Sequence, residues 1–196
     1  MGDASSQAVL GFRPHTYWTA VVALAGRPDA PQVVIRRRID FAAGLERFVY
    51  HQAEALDPAE GQALIDRVRA AVEDNAVRGI GELVADLRGD GVAVRDAVIP
   101  AATAKLPEAL ADILRVHARM HAAEGSFYRD AVAAACEALG LRVRRVAERD
   151  LPSALGEALG VDAAALEARL HALGGTLGPP WNEDYRLATQ AAWVGL

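Results

Sequence analysis

Cysteine is almost missing from this 196-residue chain, which carries Cys136 alone. No internal disulfide can form, and a reducing compartment fits best. Set in a run of alanines, Cys136 reads as a small core residue. An excess of basic residues is missing too. The chain has 21 Lys and Arg against 26 Asp and Glu, a formal charge of −5. A general polyanion or membrane binder would be basic, so any contact with nucleic acid must be local. No apolar run approaches the roughly 18 residues that span a bilayer. The N-terminus lacks a basic region ahead of an apolar core, so no secretory leader is expected. "MGDASS" fits the loose myristoylation pattern, which is short and common. Internal repeats, low-complexity tracts, zinc-finger spacing, a nucleophile elbow and a dinucleotide fingerprint are all lacking. "GGTLG" (174–178) lacks the lysine of a phosphate-binding loop.

What is present is ample core material, with 52% of residues hydrophobic. That suits a single domain over 1–196 with a flexible segment at 1–7. Ala, Arg, Gly and Leu dominate, as in a GC-rich bacterial coding sequence, and a cytoplasmic protein is expected. "AVLGFRP" (8–14), "YWTAVVALAG" (17–26) and "QVVIRRRIDF" (32–41) read as three strands joined by short turns, an antiparallel meander. Residues 42–56 fit neither period. Asp57-Pro58 is a helix start, an N-cap followed by proline at the first helical position. The helical pattern runs to about Leu87, with Gly79 and Gly81 as points where it would kink or split. "VAVRDAVIP" (92–100) is a fourth strand. Pro107 opens a second long helix that ends at Gly140. "LRVRRVAE" (141–148) is a fifth strand. Short helices over 151–159 and 162–173, a loop over 174–180 and a last helix over 182–194 close the chain. This order predicts an α/β fold: a five-stranded mixed sheet, three antiparallel strands then βαβα units, flanked by helices.

Three segments carry a resemblance. "VLGFRPHTYWTAVVAL" (9–24) looks like a first hairpin with a Gly/aromatic-rich second strand. "AEGSFYRDAVAAACEALGLRVRRVAERDL" (123–151) looks like a helix and fifth strand. "PPWNEDYRLATQAAW" (179–193) looks like a Pro-Pro-led helix carrying a final acid. Together with the element order they resemble the ribonuclease H-like fold and its bacterial Holliday-junction resolvases. The resemblance implies three or four carboxylates around two magnesium ions, the machinery of phosphodiester hydrolysis. It also implies a departure from that machinery. The first-strand aspartate falls at Arg13, and the fourth strand ends Val98-Ile99-Pro100 without an acid. Asp96 lies two residues early. Asp184, beside Glu183, falls where the family has its last acid.

"HARMHAAEGSFYRDA" (117–131) is the other conspicuous stretch. At about 100° per residue, His117, His121, Glu124 and Tyr128 continue the apolar stripe of their helix and should face the sheet. Buried polar groups need partners, so the stripe reads as a hydrogen-bonded network, a metal site or a lined pocket. His117 and Glu124 are about 10.5 Å of rise apart, too far to share an ion easily. An i,i+4 His pair, or His121 with Glu124, is feasible, with His15 and Asp184 as ligands from elsewhere. The arginines at 36–38 and at 142, 144, 145 and 149 would grip phosphates, or form solvated and edge-protecting faces. Asn182, Glu183 and Asp184 make a good helix start.

The reading is a ribonuclease H-like domain with a departed catalytic site, acting on or binding nucleic acid. As an enzyme it would be a metal-dependent phosphodiesterase using Mg²⁺ or Mn²⁺, with Zn²⁺ less favoured. Asp184, Glu124 and His121 would hold the ion and do the chemistry. Arg13, His15, His117 and Tyr128 would contact substrate. The alternatives are a module without catalysis or cofactor, a homodimer among its forms, and a small-molecule pocket lined by Tyr128, His117 and Trp181.

Overall fold

The computed structural model describes residues 6–101 and 104–196. The expected mixed sheet forms. Strands β1 (Ser6–Pro14), β2 (Trp18–Arg27) and β3 (Ala30–Asp40) build the meander, and β4 (Val92–Ala101) and β5 (Arg142–Ala147) complete the sheet in the order β3-β2-β1-β4-β5. β1 is the central strand, antiparallel to β2 and parallel to β4. The flexible segment expected at 1–7 meets β1 at Ser6 and Gln7, and its remainder lies outside the described residues, as does nearly all of the myristoylation pattern.

Period-two alternation sends successive side chains to opposite faces. Leu10, Phe12, Val21, Ala23, Ala97 and Ile99 face a core built with α1 (Val49–Glu54), α2 (Pro58–Gly89), α3 (Leu110–Leu114) and α4 (His117–Ala138). Val9, Leu24 and Val98 face α5 (Leu151–Leu159), α6 (Ala163–Gly175) and α7 (Glu183–Val194). Among the described helices, none is long and apolar enough to cross a membrane.

Two glycines explain two packings. A Cβ at Gly11 would collide with the Ala188 carbonyl and the Ala192 amide, so glycine lets α7 lie directly on the central strand. Gly79 does not split α2. The Ile39 Cγ2 methyl fills the space its Cβ would take, 2.6 Å away. Asp57 caps α2 as expected, accepting from the Ala59 and Glu60 amides.

The single helix expected from Pro107 to Leu139 is two helices. α3 ends at Leu114, and Val116, in extended conformation at φ −132°, precedes α4. Residues 42–56 contain α1, entered through Phe48 at φ 53°, whose amide donates to the Tyr17 hydroxyl.

Candidate functional site

The carboxyl-terminal ends of β4 and β5 meet α4 and the start of α7 around an open cleft of ≈ 560 Å³. Ala101, His121, Gly125, Arg129, Glu148 and Glu183 line it, with Arg149 at its edge. Such a crevice beyond the strand ends is where open α/β sheets place ligands.

Each wall follows from local sequence. β1 ends at Pro14, and the turn after it carries His15, whose amide donates to the Trp18 carbonyl. The His15 ring stacks on Trp18 at 4.2 Å, and Arg38 lies over the same indole. Asn182 caps α7 by accepting from the Tyr185 amide, which places Glu183 and Asp184 in the first turn. His15 Nε2 lies 2.6 Å from Asp184 Oδ1. The two residues picked from opposite ends of the sequence therefore meet.

Arg13 does not point into empty space. Its guanidinium pairs with Glu148 at 3.3 Å, at the end of β5. Arg129 projects from α4 into the cleft, and among the described residues its Nε has no hydrogen-bond partner. Burial holds it below its ordinary pKa, and the nearby Arg13 charge adds to this.

These residues do not fit the two-magnesium site that the resemblance implies. Mg²⁺ takes an octahedral shell of oxygens from carboxylates and water. Here Glu148 is neutralised by Arg13, and Asp184 is engaged by His15. Glu183 is exposed, and β4 ends without an acid. Gly11 pairs with Val98, which sets Arg13 level with Pro100. Asp96 pairs with Val9, well down the strand, and is bonded to Arg142 at 2.7 Å. No shift of register brings it to the cleft.

The α4 stripe divides along its length. Glu124 and Tyr128 are buried, as the wheel predicts, but His117 and His121 are exposed, which corrects the expectation that all four face the sheet. A wheel gives an angle and not a depth. Within 117–122 only Met120 is buried, because the start of α4 overhangs the core. Glu124 accepts from the Tyr50 amide at 2.8 Å and lies 3.9 Å from His51 Nδ1. Burial raises its carboxyl to about 7. Tyr128 packs among Tyr17, Phe41 and Phe127, and burial raises its hydroxyl's pKa. Trp181 packs over Gly174 on the opposite face of the sheet from Tyr128. The structure therefore does not gather Tyr128, His117 and Trp181 into one pocket.

Nor does it gather Asp184, Glu124 and His121 around one point. Among the described residues one group of three metal-ligating side chains comes together, His51, His117 and His121. His51 went unread because it lies in the short α1, where no period is long enough to register. Glu148 and Arg129 were missed as well. The only signal for Glu148 is its place at the end of an alternating strand.

The arginine-rich strands are largely occupied. Arg36 donates to the carbonyls of Leu177, Gly178 and Pro179, Arg37 pairs with Asp86, and Arg38 pairs with Asp40. Arg142 and Arg145 pair with Asp96 and Asp130.

No family model matches the chain, and no curated protein matches its sequence. Solved structures do match. The RuvC protein of Thermus thermophilus in complex with Holliday junction substrate superimposes with a TM-score of 0.51 at 12% identity, over 96% of this chain and 91% of that one. A second Thermus thermophilus RuvC structure gives 0.53 at 11% identity, over 95% and 92%. The fold is ribonuclease H-like, as the order of elements predicts.

Proposed function

We propose that this chain is a nucleic-acid-binding ribonuclease H-like domain that grips a phosphate in its cleft and does not hydrolyse it by the two-metal route. The observation that carries the reading is the arginine pair. Arg13 occupies the central-strand position where the resemblance puts a metal-binding carboxylate, against the cleft residue Glu148, and Arg129 lines the cleft with its Nε lacking a hydrogen-bond partner among the described residues. A guanidinium is permanently charged and geometrically suited to phosphate oxygens. Arg129 supplies in place positive charge that divalent cations supply elsewhere, while Arg13 is held against Glu148. The structural neighbour bound to Holliday junction substrate supports nucleic acid as the class of ligand. The net negative charge confines the contact to the cleft.

The test is fluorescence anisotropy with labelled four-way junction, duplex and single-stranded DNA across a salt series, with the same substrates incubated with Mg²⁺ or Mn²⁺. Binding should weaken with salt, and Arg129→Ala should flatten the salt slope by about one unit per lost phosphate contact. The DNA should stay intact. Cleavage that disappears in Asp184→Asn would replace this reading with that of a divergent nuclease. The absence of binding to every substrate would leave a protein-interaction module, with light scattering then reporting whether it is a homodimer.

A further inference from the structure

Three of the chain's five histidines converge where α1 meets the start of α4. His117 and His121 lie one turn apart at the start of α4, and His51 reaches them from α1. Their candidate ligand nitrogens all lie within 4.8 Å of one another. His117 Nε2 and His121 Nε2 are 2.9 Å apart. Two nitrogens each about 2.0 Å from a tetrahedral zinc ion sit about 3.3 Å apart. Small rotations of the exposed His117 and His121 rings would therefore complete the geometry. The ring centroids stand 4.5 to 5.1 Å apart, edge-on or tilted.

A second observation points to the same ion. Behind the histidines Glu124 is buried, with Oε1 on the Tyr50 amide and Oε2 without a hydrogen-bond partner among the described residues. Among the described residues His51 Nδ1 is also buried without a hydrogen-bond partner and lies 3.9 Å from Glu124 Oε1. An unpaired buried carboxylate oxygen is costly unless positive charge is near. Metal-bound histidines commonly present their other ring nitrogen to a carboxylate. With His51 Nδ1 on the Glu124 side, Nε2 is left for the ion.

We propose that His51, His117 and His121 bind one Zn²⁺ ion, with Glu124 as the positioning residue behind His51. Three neutral imidazoles suit zinc better than magnesium or calcium, which take oxygen ligands. Three protein ligands leave the fourth position of the tetrahedron to water or an anion. His121 also lines the cleft, so that position opens near its rim. The ion would join α1 to α4.

The experiment is titration of the chelator-stripped full chain with Zn²⁺ against a chromophoric chelator, with Co²⁺ as the spectroscopic probe. One ion per chain is expected, with the intense visible absorption of four-coordinate Co²⁺. Glu124→Gln should weaken binding roughly 10–100-fold, and His51→Ala, His117→Ala and His121→Ala should each weaken it more. His171→Ala should leave it unchanged. Circular dichroism verifies that the variants fold. If His51→Ala does not fold, His117→Ala, on the exposed first turn of α4, carries the test with Glu124→Gln. Unchanged affinity in folded His51→Ala would reduce the site to an exposed histidine pair with an adventitious ion only, and overturn the proposal. So would a six-coordinate Co²⁺ spectrum or an absence of binding.

Discussion

Single residues decide how closely the layers approach. Gly11 is the contact point of α7 with the central strand, and any side chain there meets backbone that cannot rotate away. Gly11→Ala should cost at least about 3 kcal/mol, the upper end for overpacking, measured by urea denaturation. Gly89→Ala, where a new Cβ meets nothing within 4 Å, should be neutral or slightly stabilising in the same assay. Cys136 makes a different prediction. Burial pushes its thiol from 9.0 to about 12. The unfolded thiol ionises near 9 while the folded one keeps its proton. The resulting stability is full below pH 9 and is lost as pH rises towards 12. Cys136→Ala should show a shallower alkaline loss of stability. In the native wild type, Cys136 should resist a thiol reagent that modifies it at once after unfolding.

At the scale of the element, helix starts marked by a capping side chain proved legible, whereas Pro107 opens no helix and α3 begins only at Leu110. The caps at Asp57 and Asn182 follow from residue type and offset, and both hold. Asn182 sets the first turn of α7 and with it the position of Asp184 beside His15. Asn182→Ala should cost about 1 kcal/mol by thermal unfolding. The break at Arg115–Val116 was not legible. No proline or glycine marks it, and it depends on how two helices reach different parts of one core. α1 was unreadable because six residues cannot display a helical period. That gap concealed His51, so the histidine pair on α4 stood in the sequence without its third member.

For the molecule as a whole, alternation and turn chemistry reveal the sheet, because strands buried on both faces are long apolar runs. The meeting of His15 with Asp184 also follows from that topology. The pairing of Arg13 with Glu148 does not, since it reaches across β4 between two strands that are not neighbours in the sheet. The order of the sheet has a consequence for synthesis. β1 emerges first and finds β2 at once, but its other edge waits for β4, beyond the whole of α2. Until then Val9, Leu10 and Gly11 present an open, apolar strand edge in the middle of the future core. Contacts so distant in sequence form late, and an unpaired edge will accept a strand from another chain. The nascent protein is therefore most exposed to misassembly along the strand on which its finished cleft depends.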